Sequence, residues 1–199
     1  MTSSSLRTAR HDVVRERVLD GVAALLRDGE DVTFAAVARA AGVPERTVYR
    51  HFPNRQALMA AVYAWANRQA GFSGSLPTTA EEMTAMVRQV FPGFDTVSPV
   101  VDELLASEDG RRARLAAADE RRAAARAVVV DARPDLDPKR RDQVAAVVQI
   151  LGTAPVWQAL RDFWEWDGTT AADAVATAIG QLLSPSESAE PRPSRGAGR

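Results

Sequence analysis

The chain has 199 residues, 46% of them hydrophobic and 26% charged, which suits a globular protein of one domain or two small ones. It has no cysteine and only two histidines, His11 and His51, which excludes disulfides, thiol redox chemistry, Cys-based zinc sites and His-rich metal sites. The net charge of −1 is unevenly spread: residues 1–70 hold 10 Arg against 7 Asp/Glu, and residues 71–185 hold 12 Arg/Lys against 17 Asp/Glu. A positive head on an acidic body orients the molecule toward a polyanion.

Residues 1–10 (MTSSSLRTAR) lack the apolar core of a secretory signal. They are expected to form a flexible arm over 1–9, in which Arg7 and Arg10 either reach a minor groove or are simply solvated. A first helix is expected over residues 10–27, with Val14, Val18, Val22 and Leu25 as its apolar stripe and residues 28–31 (DGED) as its end.

Residues 32–52 read VTFAAVARAAGVPERTVYRHF and have the build of a helix-turn-helix. Phe34, Val37, Ala38 and Ala41 fall at i, i+3, i+4 and i+7, so one stripe of a short helix can be buried. Gly42 supplies the conformational freedom for a sharp turn. In the next short helix Val48 and Phe52 point inward, while Arg46, Thr47 and Arg50 lie on the opposite face. An outward Arg-Thr-Arg face suits a major groove, where arginine meets guanine and threonine meets the thymine methyl. Short Ala/Val helices joined at a glycine also occur in proteins that never touch nucleic acid.

Asn54 is a good N-cap for a helix over residues 55–69 with Leu58, Val62 and Trp65 as its stripe. Residues 71–77 (GFSGSLP) make a connector, and Thr79 to Glu82 form a capping box opening a helix faced by Met83, Met86, Val87 and Val90. Pro92-Gly93 is expected to break it. Ser98-Pro99 starts the next helix, Asp109-Gly110 interrupts, and an Arg/Ala-rich helix follows to about residue 132. Its arginines are interleaved with Asp119 and Glu120 and read as a solvated face. Asp137-Pro138 begins a helix carrying Val144, Val147, Val148 and Leu151, continuing through a kink at Pro155 to Trp157, Leu160, Phe163 and Trp164. A second capping box at Thr170 to Asp173 opens the last helix, with Val175, Ile179, Leu182 and Leu183. Residues 185–199 are expected to be a disordered tail. Residues 144–160, the most apolar stretch, are interrupted by Gln149, Thr153, Pro155 and Gln158 and are too short to span a bilayer. No segment alternates with period two, so the expected fold is all-α, cytoplasmic and free of membrane contact.

The run TFAAVARAAGVPERTVYRHFPNRQAL, residues 33–58, closely resembles the DNA-binding domain of the TetR family of bacterial transcriptional regulators. Thr33 opening the second helix, Ala-Gly-Val at 41–43, Thr47-Val48-Tyr49, His51-Phe52, Asn54-Arg55 and Leu58 carry the resemblance. Two departures are Pro44, where a Ser or Thr cap is commoner, and Arg46, where many members have glycine; the operator cannot be borrowed from a relative. The resemblance implies a three-helix DNA-binding domain over 10–52, a linking helix over 54–69 that bridges to a larger regulatory and dimerisation domain over 70–184, and a homodimer on a palindromic operator. Arg46, Thr47 and Arg50 would read bases, and Thr33, Tyr49, His51 and Arg55 would hold phosphates.

The resemblance also implies pairing of the last two long helices across a dimer, with Leu151, Ile179 and Leu182 partly at the interface. It implies a pocket for a small apolar effector as well, with candidate lining Met83, Met86, Val90, Phe91, Phe94, Leu104, Trp157 and Phe163. The same residues at helical spacing are what any helical core needs, and Gln149, Thr153 and Gln158 either orient a ligand or are satisfied by neighbours. No resident cofactor or metal is expected. With no catalytic set, phosphate loop or metal cluster, an enzyme is not expected. The function expected is a ligand-released repressor; an activator or global regulator of the same fold is the alternative, and a helical interaction module without DNA binding the remote one.

Overall fold

The computed structural model describes residues 3–72 and 74–185, residues 3–10 by backbone alone, and among them forms eleven helices and no strand. Capping side chains set most of the boundaries. The Thr33 hydroxyl accepts from the Ala36 amide ahead of α2 (Phe34–Ala41), and Asn54 accepts from Ala57 ahead of α4 (Arg55–Gln69). Thr79 and Glu82 make the reciprocal capping box of α5 (Ala80–Thr96). Helix α1 runs Ser3–Arg27 and α3 Glu45–His51. The expected arm is therefore a continuation of α1, and the side chains of Arg7 and Arg10 lie outside the described ones.

The remaining helices are α6 (Ser98–Ala106), α7 (Glu108–Leu115), α8 (Ala118–Ala132), α9 (Pro138–Leu151), α10 (Ala154–Trp164) and α11 (Gly168–Leu183). Four expected boundaries move. Pro92 does not break α5, which runs on to Thr96. There α5 is clasped from both sides, because a Cβ at Gly93 would overlap the Ala70 backbone and a Cβ at Gly168 the backbone of Phe91 and Pro92. Such close packing offsets the one helical hydrogen bond that proline removes. The break expected at Asp109-Gly110 falls instead at Ser107, whose hydroxyl caps α7, and the Arg/Ala-rich segment divides between α7 and α8. The continuous helix expected through Pro155 is two helices bent by 61°, with Pro155 in the first turn of α10, where its missing N–H is harmless. Asp167, and not Thr170, caps α11.

Two cores result. The head core joins Val18, Val22 and Leu25 of α1, Val37 and Ala41 of α2, Val48 and Phe52, and Leu58, Val62 and Trp65 of α4. The body core joins Met83, Val87, Phe91, Val128, Val148, Trp157, Val175 and Ile179. Helix α6 faces both: Val100 and Leu104 belong to the head core, while Val101 belongs to the body core. All the apolar buried residues of α4 lie in the head core, so α6, more than α4, is the wall the two cores share. No single helix among the described residues is long and apolar enough to cross a membrane.

Candidate nucleic-acid interface

A seven-residue helix such as α3 has no stability of its own. It is held by Val48 and Phe52, both fully buried, each contributing about 1.5–3 kcal/mol. The turn before it closes at Gly42, whose φ of 63° and ψ of 37° place it in the left-handed region, while the Val43 amide donates to the Ala38 carbonyl at 3.0 Å. Pro44 occupies the N-cap position with no side-chain cap, and Glu45 follows in the first turn, where it suits the positive helix end.

With Val48 and Phe52 turned inward, Arg46 and Arg50 are exposed one turn apart and Thr47 is half-buried beside them. Tyr49 is 50% exposed, and its ring stacks on Phe34 of α2 at 4.4 Å and 17°. That stack orients the phenol, and it explains why Phe34 is only half-buried although it was expected in the apolar seam. Thr33 is exposed; its hydroxyl oxygen accepts from Ala36 at 3.1 Å, which leaves its own O–H to donate.

Two residues expected on the phosphate-facing rim are placed differently. His51 is only 9% exposed, its ring packed 4.2 Å from that of His11 on α1, and its Nδ1 is buried without a partner. Burial first, then the charges of His11, Arg50 and Arg15, hold the His51 imidazole below its ordinary value. Arg15 also lies over the Phe52 ring at 4.7 Å, so α1 grips the end of α3 through two ring contacts. Arg55 is half-exposed but engaged: it donates to the Val32 carbonyl at 2.7 Å and pairs with Glu103 of α6 at 3.2 Å and Asp109 of α7 at 3.4 Å. These contacts were not legible in the sequence, since residues tens of positions apart give no local pattern.

In the body, Met83, Val90, Phe91, Phe94, Leu104 and Trp157 are buried, Met86 is half-buried, and Phe163 is 83% exposed on α10. The eight residues therefore do not enclose one pocket: most are packed core, Phe163 faces outward, and Phe94 and Leu104 border a cavity of about 20 Å³. Thr153 and Gln158 are satisfied by Ile150 and Asp102. Of the residues expected at a dimer interface, Ile179 is wholly inside the body core, and Leu151 and Leu182 are half-buried against it. Ile179 is thus corrected from interface to core.

An all-α fold whose head presents Arg46, Thr47 and Arg50 on an anchored second helix is that of a helix-turn-helix DNA-binding protein. Residues 25–62, from the end of α1 into α4, match the family model for bacterial regulatory proteins of the tetR family. The chain carries the tetR-family DNA-binding domain and is a DNA-binding transcriptional regulator. No curated protein and no solved structure gave a match.

Proposed function

We propose that the protein is a homodimeric repressor, a regulator and not an enzyme, that acts in the cytoplasm and leaves a palindromic operator when a small molecule binds its body. One observation carries the reading: α3 is pinned from behind by Val48 and Phe52 and turns Arg46, Thr47 and Arg50 outward. Arg46 and Arg50 have the forked donors that match guanine, and Thr47 sits between them with a methyl for thymine. Thr33 and Tyr49 supply hydroxyl donors for flanking phosphates.

A head of this size covers one half-site, and two heads about 34–36 Å apart meet successive turns of the major groove. The surface for a second copy is sought on α9, which exposes Val147 (47%) and Ile150 (60%) while packing its other face on the body. Movement of α4 would carry the head with it, because Trp65 donates to Asp20 at 3.2 Å and Arg68 pairs with Glu16 at 2.7 Å, fastening α4 to α1. Releasing DNA tenfold needs a differential affinity of about 1.4 kcal/mol between the two states.

The test is selection of binding sites from random duplex DNA by the full chain at near-physiological salt, with sedimentation of the free protein. A palindromic consensus and a dimer are expected. Enrichment of a lone half-site by a monomer would refute the dimeric reading, and absence of any enrichment the sequence-specific one.

A further inference from the structure

The end of α10 carries the two most exposed large apolar side chains among the described residues, Phe163 at 83% and Trp164 at 64%, and Trp166 follows half-buried. Glu165, between the two tryptophans, has a φ of 56°, in the left-handed region that glycine usually fills at a helix end. That turn brings the Trp166 ring to 5.5 Å from the Trp164 ring, tilted by 40°. The pair sits in an acidic run, since residues 162–167 (DFWEWD) hold three carboxylates and no base. Asp162 pairs with Arg161 at 2.9 Å, and Asp167 accepts from the Thr170 amide at 2.7 Å, while Glu165 is exposed. Tryptophan faces beside carboxylates suit a flat cation that can lie on a ring, which is the guanidinium of arginine. The fold makes that contact once already on α10, with Arg161 over Trp157 at 4.7 Å. A second copy fits the patch badly, because an isologous pairing would set three carboxylates against the same three.

The chain itself holds a complementary segment. Residues 191–199 (PRPSRGAGR) carry three arginines and no acid, with a proline on either side of Arg192. Proline-rich segments dock on aromatic surfaces at low entropic cost, because their extended form is already favoured. Reach selects the arginine. Trp166 precedes the Asp167 cap of α11, and the 16 residues of α11 run about 24 Å to Leu183. Ser184 leaves that helix at φ −69° and ψ 139°, and Arg133 donates to its carbonyl at 3.0 Å. At about 3.1 Å per residue, the eight residues from Ser184 to Arg192 reach about 25 Å, the length of a return along α11. We propose that residues 191–193 dock on the Trp164/Trp166 pair of their own chain, with Arg192 over a tryptophan ring and beside Glu165. Held there, the arginines of this segment face the acidic body and are withheld from phosphate.

The test is acrylamide quenching of tryptophan fluorescence in the full chain. Trp65 and Trp157 are buried, so quenching reads Trp164 and Trp166. Arg192→Ser should raise the quenching constant, because losing one cation–π contact lowers the docked-to-free ratio about two- to fivefold. Arg199→Ser, seven residues and about 22 Å further along, should leave it unchanged. Glu165→Arg should raise it as Arg192→Ser does. Combining Glu165→Arg with Arg192→Glu should restore the protection, which a merely structural role of Glu165 would not give. Unchanged quenching in Arg192→Ser, an equal rise in Arg199→Ser, or no restoration in the charge swap would overturn the proposal. Quenching that falls as the wild-type protein is concentrated would overturn it as well, by giving the patch to a second copy.

Discussion

Replacing Arg55 by Met separates two roles for that residue, a phosphate ligand or a clasp between head and body. Methionine keeps the apolar stem and removes the guanidinium, so packing along the side chain is largely retained. The lost contacts are the pairs with Glu103 and Asp109 and the donation to the Val32 carbonyl. The Arg55 side chain is 44% exposed, so each pair is screened and contributes at most about 1 kcal/mol, and the charge-assisted bond to the carbonyl about as much. Because the three contacts share one guanidinium they do not add fully, and a total of about 1–2 kcal/mol is expected. For a chain of this size that lowers the Tm by about 2–8 °C. Glu103→Gln on the Arg55→Met background should then cost less than on the wild type, with a coupling of about 0.5 kcal/mol or more. Thermal unfolding by circular dichroism measures both quantities. If Arg55 served only a phosphate, the variant would melt with the wild type, and the slope of log K against log salt for DNA binding would fall by about one. That pair of results would refute the clasp.

The remaining predictions concern the reading helix, its pH dependence and the second copy. Arg50→Ala should cost about 1–3 kcal/mol at one operator position and relax specificity there, whereas Tyr49→Phe should weaken binding to all sequences alike; fluorescence anisotropy over a set of single-base operator variants tells them apart. A change of base preference in Tyr49→Phe would show that its assignment to phosphate is mistaken. The folded protein holds His51 neutral where the unfolded imidazole, titrating near 6.5, takes up a proton. Stability contributed by this group is therefore present above pH 6.5 and lost on acidification toward the lower folded value, so the Tm should fall from pH 7.5 to 5.5 and fall less in His51→Gln. Equal pH slopes in the two proteins would remove His51 as the cause. Val147→Glu with Ile150→Glu should yield monomers in sedimentation without unfolding the chain, since both side chains are exposed; a dimer of unchanged affinity would place the interface elsewhere.

The head was legible because its signals are local. Caps at Thr33 and Asn54, the glycine turn and the Val48/Phe52 anchor each lie within a few residues of what they organise, and all appear where expected. The body was less legible because its boundaries depend on packing. Pro92 and Gly93 spell a helix end locally, yet Ala70 and Gly168 press on that turn from outside and keep it helical. Phe163 fits an apolar stripe by spacing, but the bend between α9 and α10 turns that end of α10 to solvent. The same bend closes Gly152 against Met83, where a Cβ would crowd the methionine's terminal methyl, so residues expected to line a pocket instead fill one another's space. Arg55 shows the limit most plainly: its spacing places it beside the Asn54 N-cap, the family resemblance implied a phosphate contact, and only the fold brings Glu103 and Asp109 to it.

Helix α6 ties the head core to the body core. Val100 and Leu104 fix one face in the head core, and Val101 fixes the other in the body core. Its two consecutive acids divide in the same way: Asp102 takes Gln158 at 2.8 Å and Arg161 at 3.1 Å from α10, and Glu103 takes Arg55 from α4. A helix of nine residues cannot bend to satisfy one side alone, so a shift of α10 must either move Glu103 or break the Asp102 contacts. Breaking them would leave the half-buried Arg161 with only its adjacent Asp162 as counter-ion. Helix α7 is bound into the same unit, because a Cβ at Gly110 would overlap the Leu104 backbone and Asp109 pairs with Arg55, so a shift of α6 must carry α7 with it or break those contacts.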